Sequence, residues 1–190
     1  MSCTNIIDGY KLGCRDISGG VNKVYIASFS GDNRNVYTID STIGSSTYSA
    51  ITSVWFKNSG GTPYFEIEQR SEAGSFNQSG VYGETGTRFI EQTLELQFNK
   101  KTSKIRNILM LMAKNDLSII IKDNSPTAKY FLMGKENGAK VTASSLNTGK
   151  AFGDSSGGFV TIVAKEPDFA YEMTAAAFND ARILREGTPI

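Results

Sequence analysis

Between Arg88 and Asn99 the chain alternates, with Ile90, Leu94, Leu96 and Phe98 on one side and Glu91, Thr93, Glu95 and Gln97 on the other. Successive side chains of a strand point to opposite faces, so this stretch reads as a strand with one buried face and one wet face. Gln92 is the single polar residue on the inner side. Such alternation belongs to an antiparallel sheet with one solvated side, whereas strands of a parallel sheet read as continuous apolar runs.

Further segments supply partners. Val21 to Phe29, Val36 to Ile39 and Ile51 to Lys57 are rich in β-branched and aromatic residues, with Trp55 expected at a buried strand end and a Ser/Thr-rich connection over 41–49. Tyr64 to Glu68 leads into the polar stretch Arg70 to Gly80, and Val81-Tyr82 then runs toward Arg88. This reads as a long hairpin whose tip, Ser71 to Gly80, exceeds what a tight turn needs and is either a projecting functional loop or a mobile one. Arg70, Glu72, Phe76 and Asn77 are its candidate contact residues. Leu117 to Ile121, Lys129 to Met133, Lys140 to Ala143 and Phe159 to Lys165 complete a set of about eight antiparallel strands. Ser144 to Gly158 reads as a Gly/Ser-rich connection, and Pro167 with Asp168 ends the last core strand.

One helix is predicted over residues 102–115. Thr102 or Ser103 can cap it, and Ile105, Ile108, Leu109 and Met112 form one apolar stripe. Burying each of these is worth roughly 1.5–3 kcal/mol, more than helix propensity supplies. Lys100, Lys101, Lys104 and Arg106 crowd its positive end and Asp116 its negative end, against the helix dipole. They form either a solvated face or a basic patch that meets acids of a neighbouring subunit. The fold expected is mainly β: an antiparallel β-sandwich or partly closed β-barrel with one flanking helix. Residues 1–173 make a single domain with an N-terminal arm over 1–20, and 174–190 form a C-terminal arm or a short helix.

The chain of 190 residues contains no histidine, the side chain most used for acid/base work near neutral pH, which argues for a structural or binding role without cofactor or metal. Twenty basic against nineteen acidic residues leave a net charge of +1, too little to attract nucleic acid or anionic membrane. No signal-peptide or membrane-span pattern occurs, so a cytoplasmic site of synthesis and residence is expected. Cys3 and Cys14 match no zinc or redox spacing and read as reduced thiols, although a pairing between them stays open. Gly149-Lys150 lacks the earlier glycine and the following Ser or Thr of a phosphate loop. Asp32 to Asn35 is a turn, Asn77-Gln78-Ser79 a chance sequon, and Glu66, Glu68 and Glu72 are solvated acids rather than a glycosidase pair.

The run Gly9-Tyr10-Lys11-Leu12-Gly13-Cys14-Arg15-Asp16, then Gly19-Gly20 and Val24-Tyr25-Ile26, the later Val141 to Lys150, and the closing Ala164-Lys165-Glu166-Pro167 resemble stretches of bacteriophage virion proteins. The likeness is to proteins of the tail tube type, from phages of Bacteroidetes-like hosts, and covers most of the chain with architectural motifs. It implies a noncatalytic homo-oligomer in the virion tail, assembled in the host cytoplasm. Six copies would join sheets in a ring, and rings would stack into a conduit through which DNA passes without tight binding. Its partners would be further copies and other tail or neck proteins, with no membrane involved. Glu91 and Glu95 become candidate lumen acids, the residues 70–80 the inter-ring element, and the helix an outer layer. A head-to-tail connector, a tail terminator, a capsid-decorating protein and a carbohydrate- or protein-binding β-sandwich are the alternatives.

Overall fold

The computed structural model describes residues 19–29, 36–40, 50–55, 63–70, 72–83, 86–125, 129–150, 156–180 and 183–184. In chain order these form β1 (Val21–Ser28), β2 (Val36–Asp40), β3 (Ala50–Trp55), β4 (Tyr64–Glu68), β5 (Ser75–Tyr82), β6 (Arg88–Phe98), helix α1 (Ser103–Lys114), β7 (Leu117–Asp123), β8 (Tyr130–Met133), β9 (Ala139–Asn147), β10 (Gly157–Glu166), β11 (Tyr171–Met173), helix α2 (Ala175–Asp180) and β12 (Ile183–Leu184). The strands belong to one mixed sheet running β2-β3-β11-β8-β7-β9-β10-β6-β5, with β1 joining β7 to β4 and β12 on the far side of β4. The sheet is open rather than closed, and it doubles over into a sandwich with the helices on its flanks. The N-terminal arm, the pairing state of Cys3 and Cys14, and the side-chain burial of Trp55 lie outside the described residues.

Two cores explain the layers. The larger lies between the sheet β9-β10-β6-β5 and the sheet around β1 and β7. Leu94, Leu96, Val160 and Ile162 meet Val24, Ile26, Ile119 and Ile121 there, and Leu109 and Met112 of α1 close one side. The smaller lies on the opposite face of β1, β7 and β8, where Tyr25, Ile51, Tyr64, Ile120, Leu132 and Met173 pack with Ala177 and Phe178 of α2. Phe178 stacks on Tyr130 at 3.9 Å between ring centres and meets Tyr25 edge-on at 5.1 Å. Because β7 has a core on each face, Leu117 to Ile121 is continuously buried although its neighbours are antiparallel.

β6 alternates as its sequence requires: Ile90, Gln92, Leu94, Leu96 and Phe98 are buried, and the residues between them are partly or fully exposed. Thr102 caps α1 by accepting from the Ile105 N–H at 3.3 Å. The basic residues stand in and before the first turn as expected, but Lys114 in the last turn suits the dipole. Asp116, beyond the helix end, faces the Lys140 ammonium at 3.8 Å. Gly134, at φ +72, permits the turn from β8 to β9, where a Cβ would lie 2.8 Å from both the Leu117 carbonyl oxygen and the Ala139 nitrogen.

The structure corrects several expectations. Among the described residues the strands number twelve, and β3–β11 and β4–β12 pair in parallel, because the chain after β10 returns to cover the second core. Residues 64–82 are no hairpin: β4 pairs with β1 and β12, whereas β5 pairs with β6. The two ends of the Gly/Ser-rich stretch 144–158 are strand, since β9 runs to Asn147 and β10 starts at Gly157. The C-terminal helix stops at Asp180, short of Leu184, which pairs in β12.

Candidate assembly surface

Strands β9, β10, β6 and β5 form a continuous antiparallel ladder, with partners Ser145↔Phe159, Thr161↔Glu95 and Glu95↔Ser75. Directly opposed residues share a face. The outer face therefore carries Ser75, Asn77 and Ser79 of β5, Glu91, Thr93 and Glu95 of β6, and Thr161 and Lys165 of β10. Its counterpart face delivers Leu94, Leu96, Val160 and Ile162 to the core.

Both ends of this ladder are open among the described residues. β5 pairs with β6 alone. β9 touches β7 only through Ala139↔Leu117, which leaves Lys140 to Asn147 without a strand on that side. An open edge offers unpaired N–H and C=O groups to any passing strand, and proteins ordinarily blunt it with charge, proline or a bulge. β5 reads Ser-Phe-Asn-Gln-Ser-Gly-Val-Tyr, and the open part of β9 after Lys140 reads Val-Thr-Ala-Ser-Ser-Leu-Asn. Neither contains a charge or a proline. A bulge interrupts β9 opposite Thr161/Ile162, but its residues from Thr142 onward are exposed on both faces.

The proposed inter-ring residues do not share a projecting loop. The turn is short, with the Ala73 N–H donating to the Arg70 carbonyl at 3.1 Å, and Glu72 sits in the left-handed region at φ 66. Arg70 and Glu72 are exposed there, while Phe76 and Asn77 belong to β5. Phe76 turns inward against the larger core and Asn77 outward. The polar composition that suggested a loop instead reflects an edge strand with a wet face.

Lys100, Lys101, Lys104 and Arg106 all lie exposed at the start of α1. Glu91 and Glu95 occupy the outer face of β6, two residues apart on the same side. Glu91 stands 3.9 Å from the Lys165 ammonium, and Glu95 accepts from the Ser75 hydroxyl at 3.0 Å. Lys165 also lies 5.4 Å from the Phe89 ring centre.

A second feature lies where β6 and β10 meet the 134–138 turn. Glu166 is 4% exposed, and its carboxylate accepts the Glu136 and Asn137 backbone N–H groups at 3.0–3.2 Å. Burial pushes this carboxyl above the ordinary carboxylate value, against the pull of those two donors. Beside it opens a cavity of about 40 Å³ lined by Gln92, Leu132, Lys135, Glu166 and Tyr171. Lys135 pairs with Glu136 and lies 5.4 Å from the Tyr171 ring centre. The sequence reading passed over Glu166. The available signal was Gln92, the one polar break in an apolar face, which needed a polar companion on the neighbouring strand.

Among the described residues no helix is long and apolar enough to cross a membrane, and no three His, Cys, Asp or Glu side chains gather as a metal site. Comparison with protein-family models, with curated proteins and with solved structures finds no match to this chain, so the reading of its function rests on its own surfaces.

Proposed function

We propose that the chain is a noncatalytic, self-assembling structural subunit of the phage tail tube type that its sequence resembles. Copies join head to tail by pairing β5 of one with the open edge of β9 in the next. The observation that carries this reading is the pair of open edges on a single four-stranded ladder, where Lys140, at the start of the open part of β9, is the one charged residue of either edge. Because the four strands alternate in direction, β5 and β9 run oppositely. A rotated copy therefore presents β9 antiparallel to β5, and the ladder continues across the boundary. A contact between two different surfaces closes into a ring when the rotation per copy divides a full turn. Pairing the edges also turns an aggregation hazard into the joint itself.

In such a ring, the polar outer face of the ladder lines the lumen. Its hydroxyl and amide side chains, with Glu91 beside Lys165 and Glu95 beside the Ser75 hydroxyl, present DNA with a wetted, weakly charged wall. Lys100, Lys101 and Arg106, exposed around the start of α1, would meet other rings or other tail or neck proteins.

Lysines on an edge strand oppose its pairing with a further strand. Light scattering over a concentration series is expected to show multi-subunit particles for the wild type. The double variant Asn77→Lys, Ser79→Lys should give monomers with an unchanged circular dichroism spectrum. Particles of the same size in this folded variant would remove β5 from the joint.

A further inference from the structure

Gln92 is 1% exposed, and its Oε1 meets no hydrogen-bond donor among the described residues. The orientation of the amide is fixed by chemistry: Nε2 donates to the Asp168 carbonyl oxygen at 3.2 Å. Turning the amide over would set two acceptors against each other and strand the N–H group. A buried acceptor without a donor costs about 1–3 kcal/mol, and native proteins rarely leave one so.

Two backbone donors nearby are engaged, the Glu136 and Asn137 N–H groups pointing at Glu166, and the Lys135 ammonium uses one of its three N–H groups on Glu136. The cavity that Gln92 lines holds about 40 Å³. On the same kind of measure a water needs roughly 10–15 Å³ and two to four polar partners. A fully apolar cavity of this size would stay dry, but this one is lined by Gln92, Lys135 and Glu166 among others.

We infer that the cavity is a built water site in which at least one ordered water donates to Gln92 Oε1 and to the Glu166 carboxylate, with Lys135 as a further partner. The water ties β6 to the end of β10. Glu166 in turn holds the 134–138 turn, and Gln92 holds the segment after β10 through Asp168. Three chain segments, β6, the 134–138 turn and the end of β10 with the residues after it, are thus linked around one solvent molecule. The site is independent of whether copies assemble.

The test is a crystal structure of the full chain at a resolution that orders internal waters, together with water magnetic relaxation dispersion on the wild type and on Gln92→Met. The wild-type map should show a water within hydrogen-bond distance of Gln92 Oε1 and Glu166. The folded Gln92→Met protein should lose at least one long-lived water. A dry cavity, with Gln92 Oε1 bonded directly to the Lys135 ammonium or to a protonated Glu166, would overturn the inference. So would a metal cation in that position, or an unchanged count of long-lived waters in the variant. If Gln92→Met does not fold, the wild-type map alone decides.

Discussion

Gln78 on β5 and Gln92 on β6 stand directly opposite each other, and both reach the same crossing segment between β10 and β11. Gln78 Oε1 accepts from the Ala170 N–H at 2.7 Å, while Gln92 donates to the Asp168 carbonyl at 3.2 Å. A pair of amides on the inner face of the outer sheet therefore pins the chain as it leaves that sheet for the second core. Their two roles are complementary, one accepting and one donating, and so are not interchangeable with apolar residues of equal size.

Gln78→Leu leaves the Ala170 N–H without its acceptor. A loss of about 1–2 kcal/mol is expected, read as a lower urea midpoint with an unchanged slope. A midpoint equal to wild type would mean that the Ala170 N–H finds water instead.

The hydroxyls of Tyr37, Tyr64 and Ser118 form a closed triangle, with Tyr37–Tyr64 at 2.6 Å and each tyrosine 3.1 Å from Ser118 Oγ. Tyr64→Phe should cost about 1 kcal/mol, and Ser118→Ala a similar amount. The two losses should not add in the double variant, because both remove the same bond. Additive losses from urea unfolding would contradict mutual dependence.

Gly157 begins β10 beside the end of β6, where an added Cβ would lie 1.9 Å from the Phe98 carbonyl oxygen. The obstruction is backbone, which cannot rotate away. Gly157→Ala is expected to destabilise by about 1–3 kcal/mol in thermal or urea unfolding, through displacement of the β6–β10 pairing.

Glu166 sets a pH dependence of definite sign. Its carboxyl is raised above the ordinary value of 4.5 chiefly by burial, opposed by the Asn137 and Glu136 backbone donors. Its folded form therefore binds a proton more readily than its unfolded form. Its contribution to stability is full below the unfolded value and is lost as pH rises through the folded one. Lys135, Glu136, Asp168 and Tyr171 border the same cavity. Urea midpoints measured from neutral pH down to about 4.5 should show a smaller acid-side gain, or a larger acid-side loss, in Glu166→Gln than in wild type. Identical pH profiles would exclude a raised carboxyl.

Regular local patterns were legible in the sequence, and pairings were not. The alternation from Ile90 to Phe98 and the stripe Ile105, Ile108, Leu109, Met112 translate directly into β6 and α1, since both depend on period alone. β5 was misread because Ser75 to Gly80 is polar on one side and holds only Phe76 as an apolar anchor before Val81. An edge strand with a solvated face has the composition of a loop. The open stretch of β9 was misread for the same reason. β11 and β12 are three and two residues long, and their parallel partners lie far away in sequence, so no local signal marks them. The buried Gln92 was visible as an exception, but its companion Glu166 belongs to it only through the β6–β10 register.

Electron microscopy of the purified protein across a concentration series tests assembly through β5 and β9 most directly. The expected result is rings of uniform diameter, with β5 of each copy lying antiparallel to β9 of the next in one continuous wall. A monodisperse monomer at high concentration, or rings joined through α1 with both edges still open, would contradict it.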